Sequence, residues 1–220
     1  KKNKIKSAGL SDTSNLCGSL EFSEDLSKSG TQPIIGTQIL FNFKGEIGLL
    51  PLIAMNEKSY KKIVQLSSKS YLNNKDKLEP SCEIEDLLND HDGVILLSGS
   101  INGLIGKLFN KGKFSEIEEI YKTIKETYKD NFYIEIQLID KDILPAQQIL
   151  AEGLRYISKK TGIPCVATPD AHYPAMENAD DQRILICNML ETTIPAIKQK
   201  MTKMLQRRKQ KKKPRKLDSM

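Results

Sequence analysis

The chain has 220 residues and a formal net charge of +6, a length that suits one α/β domain with a tail. No apolar run approaches the roughly 18 residues that cross a bilayer, which argues against a membrane-spanning helix. The four cysteines are far apart and form no CxxC pair, which argues against a zinc knuckle or a disulfide scaffold. A reduced, cytoplasmic protein with buried thiols is therefore expected.

The positive charge lies at the end of the chain. Eleven lysines and arginines lie between Lys198 and Lys216, so residues 1–195 carry a net charge of about −4. The basic run RRKQKKKPRK cannot bury enough apolar surface to fold alone. Residues 196–220 are predicted to be a solvated, poorly ordered tail or the start of a linker. An arm that binds nucleic acid is the alternative.

Short apolar runs alternate with longer amphipathic stretches along the chain. In order, the pattern predicts strands at 34–43 and 49–55, a helix at 58–71, a strand at 93–97, a helix at 114–128, a strand at 132–138, a helix at 144–160 and a strand at 163–167. The last helix stops at Gly162, with Pro164 just beyond. This alternation predicts a mostly parallel sheet covered by helices, either a (β/α) barrel or an open doubly wound sheet.

Apolar residues recur at helical spacing on the three predicted helices, and on the second and third they are predicted to share one face. They are Ile63, Val64, Leu66 and Tyr71; then Ile117, Ile120, Tyr121, Ile124 and Tyr128; and finally Ile149, Leu150, Leu154 and Ile157. Acidic residues on these helices are predicted to lie on solvated faces.

One segment, GIPCVATPDAHY, could carry metal chemistry. An apolar strand ends at Thr168, and Asp170 and His172 then follow at its carboxyl end, where α/β proteins build active sites. A carboxylate and an imidazole can both bind zinc, manganese or iron. Two ligands alone do not make a metal site, and the alternative is a capping Asp with a hydrogen-bonded His. His91, in the turn-like NDHDG stretch, is predicted to be a surface residue.

No motif for nucleotide binding or serine hydrolysis occurs: GxxxxGK[ST], GxGxxG and GxSxG are all absent. Other blocks are more informative together. In order, they are LSDTSNLCGSLEF, QPIIGTQI, LIAMNEKSYKKIVQLSSKSY, DGVILLSGSINGLIGKLFNKG, NFYIEIQ, GIPCVATPDAHY and ILICNMLETTI. Together they resemble the PHP domain of bacterial DNA polymerase III alpha subunits over about residues 1–194. The resemblance implies a distorted (β/α)7 barrel of PHP type over residues 1–195, incomplete at its N-terminus.

The resemblance also implies where metal ligands would lie. Family members with an intact site bind up to three metals through His, Asp, Glu and Cys at strand ends, and their first His-x-His motif would precede Lys1. Asp170 and His172 match this pattern. The lost ligand positions hold other residues here, namely Thr13, Gln38, Leu49 and Ser100.

A cluster of divalent cations held by one carboxylate and one imidazole would be badly under-neutralised. The expectation is a domain without a catalytic metal cluster or phosphoesterase activity. Asp170 and His172 would then be vestigial ligands that serve as polar contacts.

For the full protein, the resemblance implies a cytoplasmic DNA-directed DNA polymerase that copies DNA in replication, with Mg²⁺ bound by paired aspartates in a palm domain outside this chain. No cofactor is expected in these 220 residues. The implied partners are the remaining polymerase domains, the proofreading exonuclease subunit and, through the full protein, primer–template DNA and the sliding clamp, with no membrane. The domain itself would be a scaffold or a docking site for the proofreading subunit.

Two alternatives stay open for the function. One is a stand-alone PHP phosphoesterase of the histidinol-phosphatase kind, against which the missing ligands argue. The other is the error-prone paralogue of the alpha subunit, which this region separates poorly from the replicative protein. After Ile194 the resemblance ends, and a lineage-specific linker, an early end and a reading-frame error are all consistent with the basic tail.

Overall fold

The computed structural model describes residues 5–72, 79–89, 91–137, 145–169, 171–173, 175–189, 191, 193 and 195. The chain divides into two compact units, Lys1–Pro169 and Asp170–Met220. Asp170 and the basic tail, residues 196–220, lie outside the described residues. None of the helices within these ranges is long and apolar enough to cross a membrane.

The first unit alternates strands and helices in the order that the sequence predicts, with additional short elements. Its strands are β1 (Ser7–Thr13), β2 (Gln32–Phe43), β3 (Glu46–Ala54), β4 (Ser81–Glu83), β5 (Val94–Leu97), β6 (Phe132–Gln137) and β7 (Cys165–Thr168). Its helices are α1 (Ser19–Lys28), α2 (Glu57–Leu72), α3 (Ile84–Asn89), α4 (Leu104–Asn110), α5 (Phe114–Tyr128) and α6 (Pro145–Thr161), and a 3-10 turn covers Lys129–Asn131.

The strands form one curled sheet, a half barrel with the order β1-β2-β3-β5-β6-β7, and β4 pairs beside β1 on the same edge of β2. The pairs β1–β2, β2–β4, β5–β6 and β6–β7 are parallel, which confirms the mostly parallel sheet. Strand β3 runs antiparallel to both of its neighbours. The structure is thus an incomplete barrel, as the resemblance implies, and not an open doubly wound sheet.

The reversal of β3 comes from a two-residue turn between β2 and β3. Lys44 and Gly45 have φ angles of 51° and 83°, the left-handed region that a type I′ hairpin turn requires at both positions. The backbone N–H of Gly45 donates to Asn42 Oδ1 at 3.1 Å. The ammonium of Lys44 also lies over the Phe43 ring. The long hairpin was not predicted from the sequence, which gave two separate strands.

The two faces of the hairpin differ in burial. Phe41, Leu50 and Leu52 are fully buried on one face, where α2 packs against β2 and β3. Gln38 and Leu49 belong to the other face and are only half-buried. Strand alternation therefore separates a core face from a face that retains access to solvent.

Helix α5 agrees best with its prediction. It begins and ends at the predicted residues, and all of its predicted core residues are buried. The apolar face predicted for α6 is wrong at Ile149, which is exposed. On α2, where only helical spacing was predicted, Val64 and Tyr71 are exposed as well. These side chains lie on the flanks of their helices, about 100° away from a buried neighbour in the sequence.

The thiols agree only partly with the expectation of burial. Cys82 and Cys187 are buried, whereas Cys17 and Cys165 are exposed. Burial raises the pKa of the Cys82 thiol to about 11, so it stays protonated at neutral pH. Cys165 is exposed because it occupies an outward position of β7, where exposed and half-buried residues alternate.

The second unit contains a 3-10 turn at Met176–Asn178 and helix α7 (Ala179–Met189). On α7, Cys187 is buried, while Ile184, Leu185 and Met189 are exposed.

Glu46, at the start of β3, is only 9% exposed although it is charged. The Nζ atoms of Lys111 and Lys113 lie 2.6 and 3.0 Å from its carboxylate oxygens. These hydrogen bonds hold the pKa of Glu46 below its usual value of 4.5. The pair of lysines thus joins the segment after α4 to the hairpin.

We expect Glu46→Gln to lower the free energy of unfolding at pH 7 by about 1 kcal/mol, because both lysines lose a charged acceptor. A carboxylate with a depressed folded-state pKa stabilises the fold above its unfolded pKa. The difference in free energy of unfolding between the wild type and Glu46→Gln should therefore shrink as the pH falls below about 4.5, the unfolded-state pKa, and then through the lower folded-state pKa. Urea unfolding of both proteins between about pH 3 and pH 7 measures this.

Glu57→Gln is the matched control, because Glu57 pairs with Lys61 on the exposed surface of α2. Exposed pairs of this kind contribute little, so the control should leave the unfolding curve nearly unchanged. Equal losses of unfolding free energy in the two variants would contradict the stabilising role of the Glu46 carboxylate.

Candidate functional site

The resemblance predicts four lost ligand positions, and the structure brings three of them to one face of the sheet. Thr13 is the last residue of β1 and is in register with Gln38 of β2. Gln38 is in turn in register with Pro51 of β3, and Leu49 lies two residues from Pro51 on the same strand face. Thr13, Gln38 and Leu49 therefore share the half-exposed face, although only Thr13 lies at the carboxyl end of its strand.

Ser100 lies in the loop that leads from β5 into α4. Residues Leu49 and Gly103 form an isolated parallel bridge, which places this loop beside β3. The backbone N–H of Gly103 donates to the Ser100 carbonyl at 2.9 Å and tightens the loop. The fourth lost position is thus held close to Leu49 by backbone contacts.

Glycines allow this close approach of loop and sheet. A Cβ atom on Gly48 would lie 2.4 Å from the backbone of Leu104, and one on Gly106 would lie 2.4 Å from the carbonyl oxygens of Ser100 and Ile101. No real Cβ contact is so short, so a side chain at either position would displace backbone. The small residues of the block SGSINGLIG therefore have a packing role at the site.

Gln38 makes local backbone contacts. Its side-chain amide donates to the Ser11 carbonyl at 3.3 Å, and its own carbonyl accepts from the Ser14 N–H at 2.7 Å. Ser14 has a φ of 59°, which turns the chain sharply after β1. The Gln38 side chain thus fixes β1 on β2.

Glu135 on β6 is an acidic residue of this region that the sequence reasoning missed. It is 5% exposed, and successive strand registers place it on the same face as Gln38. Thr168 Oγ1 donates to its Oε1 at 2.6 Å, and its backbone N–H donates to Ser98 Oγ at 3.0 Å. The available signal was a single acidic residue in the otherwise apolar strand FYIEI.

The two retained ligand candidates, Asp170 and His172, belong to the second unit of the chain. Asp170 lies outside the described residues. His172 belongs to the second unit and is exposed. In the described part of the chain, no group of three or more His, Cys, Asp or Glu side chains could hold a metal ion.

The donor chemistry at the lost positions does not fit a cluster of divalent metals. Thr13 and Ser100 offer neutral hydroxyls, Gln38 offers a neutral amide, and Leu49 has no donor atom. Divalent cations in proteins are usually held by several carboxylates, imidazoles or thiolates, which compensate their charge.

His91 lies between α3 and β5, in the turn that the sequence predicts, but it is half-buried and not a surface residue. Its Nδ1 lies 3.0 Å from the Leu88 carbonyl oxygen, and its ring lies 5.6 Å from the ring of Tyr128. The Tyr128 hydroxyl donates to the Leu87 carbonyl at 3.1 Å. These contacts give His91 a packing role between α3 and α5.

Comparisons with known proteins agree with the ordered blocks. The family model described as PHP domain matches residues 1–138. The chain is 33% identical to the DNA polymerase III subunit alpha of Rickettsia bellii (strain RML369-C) over 187 residues, which is 84% of this chain and 16% of that protein. It is 28% identical to the error-prone DNA polymerase of Symbiobacterium thermophilum over 194 residues, 81% of this chain and 17% of that protein.

Among solved structures, the chain is similar to a candidate metal-dependent phosphoesterase from Bifidobacterium adolescentis, with a TM-score of 0.48 and 11% identity over 84% of this chain and 87% of that chain. The chain spans about one sixth of the length of the two polymerases, 16% and 17%. The family model covers more than half of the 220 residues. The chain therefore belongs to the PHP domain family, and it is homologous to the N-terminal region of DNA polymerase III alpha subunits.

Proposed function

We propose that this chain is the PHP region of a bacterial replicative DNA polymerase III alpha subunit and acts there as a non-catalytic scaffold. The observation that carries the proposal is the similarity to alpha subunits over 84% of the chain. The full protein would be a DNA-directed DNA polymerase of the cytoplasm. Its Mg²⁺-dependent palm, and its contacts with primer–template DNA and the sliding clamp, would lie in other domains.

The scaffold role is supported by what the site retains and what it lacks. The sheet, the hairpin and the glycine-mediated packing of the Ser100 loop are intact, whereas Thr13, Gln38 and Leu49 provide no charged ligand. A divalent cluster needs charge compensation that these side chains do not supply. Asp170 and His172 would then be vestigial polar contacts.

We expect the purified chain to show no phosphoesterase or 3′-exonuclease activity with Mn²⁺, Zn²⁺ or Mg²⁺. The assay would follow p-nitrophenyl phosphate and a 3′-labelled DNA strand, and it would compare the wild type with the Asp170→Ala and His172→Ala variants. The three proteins should have the same background rate, because two ligands do not assemble a metal nucleophile. Substantial wild-type turnover that either substitution abolishes would overturn this proposal.

The docking role concerns the proofreading exonuclease subunit. Isothermal titration of the 220-residue chain with the exonuclease subunit from the same organism tests it directly. Binding at micromolar or lower dissociation constant supports a docking domain. Absence of binding, with both proteins shown to be folded, would contradict the docking role. Structural support of the polymerase body would then be the role that remains.

The error-prone paralogue is the second candidate, because such a polymerase is 28% identical over 81% of the chain. Resequencing the gene across the codons for Glu191–Met220 and several kilobases beyond would show whether a polymerase body follows. An open frame into palm and clamp-binding regions supports a polymerase, and the sequence of that body or its genomic neighbours would then separate the error-prone paralogue from the replicative protein. A confirmed stop after Met220 would contradict it and favour a free-standing PHP protein.

A further inference from the structure

A groove of about 330 Å³ lies between α5 and α6 in the first unit. Side-chain contacts join the two helices. Lys160 Nζ donates to Glu118 Oε1 at 2.9 Å, and the Lys125 ammonium donates to the carbonyl of Thr161 at the end of α6. The groove is thus formed by two helices of one compact unit.

The lining of the groove combines apolar and basic side chains. Its apolar side chains are Ile117, Tyr121, Tyr156, Ile157 and Ile163. Basic side chains from both helices lie beside them, so a partner would meet apolar surface and positive charge in the same groove.

Tyr156 offers the groove's exposed apolar surface to a partner. It is 68% exposed, whereas Ile117, Tyr121 and Ile163 are buried. Phe114 and Ile149 on the same two helices are also exposed, although they do not line the groove. Exposed apolar side chains mark interaction surfaces, and tyrosines are enriched among residues that dominate binding energy.

The basic part of the groove carries an excess of positive charge. Its lining contains Lys122, Lys125 and Lys160, and Glu118 is the acidic residue of this lining. Glu118 is paired with Lys160, and Lys122 has no ion pair within the described residues. Such an excess favours a partner with carboxylates opposite the lysines.

We propose that the groove between α5 and α6 docks an acidic amphipathic segment of a partner protein. Apolar side chains of the segment would cover Tyr156 and Ile157, and its carboxylates would face Lys122, Lys125 and Lys160. The volume suits two or three buried side chains and not a whole helix face. The proposal concerns a surface of this unit and does not depend on the metal site or on the polymerase assignment.

A panel of fluorescein-labelled peptides tests the proposal with the complete 220-residue chain. All peptides share two leucines four residues apart, and these are flanked on either side by a run of glutamates, glutamines or lysines. Fluorescence anisotropy gives the affinity, and shifts of the methyl NMR signals of Ile117, Ile157 and Ile163 locate the peptide. We expect the best glutamate peptide to bind at least about tenfold more tightly than its lysine counterpart, with a loss of affinity at high salt.

Variants of residues that line the groove distinguish docking in the groove from nonspecific binding. Tyr156→Ser should weaken the glutamate peptide by about tenfold, and Lys122→Glu by about fivefold. The controls are Tyr71→Ser on α2 and Lys159→Glu on α6, which change an exposed tyrosine and an exposed lysine that do not line the groove. Both should bind as the wild type does. Circular dichroism confirms that all four variants are folded.

Several results would overturn the proposal. The proposal is wrong if no peptide of the panel binds, if glutamate and lysine peptides bind equally, or if Tyr156→Ser leaves the affinity unchanged. It is also wrong if light scattering shows concentration-dependent self-association that Tyr156→Ser abolishes, because a second copy of the chain would then cover the groove.

Discussion

Gly106→Ala is expected to lower the free energy of unfolding by about 3 kcal/mol, near the upper end of what overpacking costs. The added Cβ would lie 2.4 Å from the carbonyl oxygens of Ser100 and Ile101. These are backbone atoms, so relief requires α4 to move away from the loop. Alanine would ordinarily stabilise a helix interior by up to about 1 kcal/mol relative to glycine, and here the steric cost exceeds that gain.

The effect should extend from α4 to the sheet, because Gly48 of β3 packs equally closely on Leu104. Urea unfolding and thermal melting measure it, and a loss of this size would lower the melting temperature by about 10 °C in a domain of this length. Gly9→Ala is the control, since the nearest atom to its Cβ would be the Ile34 carbonyl oxygen at an ordinary 3.9 Å. If the two variants had equal stability, the tight packing of the Ser100 loop would be refuted.

Placing metal ligands on the half-exposed face should create a zinc site. In the triple variant Thr13→His/Gln38→Glu/Leu49→His, two imidazoles and a carboxylate project from neighbouring strands, since positions 13 and 38 are in register and position 49 is diagonal to 38. Diagonal neighbours lie about 7–8 Å apart, within reach of His and Glu. Two imidazoles and a carboxylate are a ligand set that zinc accepts.

We expect the triple variant to retain about one zinc ion per chain after dialysis, whereas the wild type retains none above background. Zinc at 100 times its dissociation constant should then raise the free energy of unfolding by about 2.7 kcal/mol. Elemental analysis measures the zinc content, and urea unfolding with and without zinc measures the gain in free energy of unfolding. The double variant Thr13→His/Gln38→Glu is the control and should bind far more weakly. Equal zinc content in the triple variant and the wild type would show that the three positions do not converge.

The sequence predicted the long elements well because they carry a strong periodic signal. In α5, five apolar residues recur at helical spacing, and both ends of the helix are predicted correctly. The short helices α3 and α4 have too few residues for such a signal. The reversal of β3 depends on Lys44 and Gly45 alone, and a Lys-Gly pair is a weaker turn signal than Asn-Gly or Asp-Gly.

The candidate site was predicted less completely than the fold. The resemblance predicts lost ligands at positions 13, 38, 49 and 100, and only strand register shows that the first three share a face. Glu135 escaped prediction because an acidic residue in a strand normally indicates a solvent-exposed position. Its burial becomes understandable only with Thr168, which lies on the adjacent strand and donates to it. Ile149 was assigned to the core by spacing, but it is exposed on the flank of α6.

The turn at Lys44–Gly45 also bears on how the chain can acquire its structure. Strands β2 and β3 are joined by two residues, so their pairing costs little loop-closure entropy and can occur within microseconds. The parallel pairs β1–β2, β5–β6 and β6–β7 each require a connection through a helix, which makes them slower to form. The hairpin is therefore the natural starting point of assembly, and β1 and β7, at the two edges, are the natural last additions.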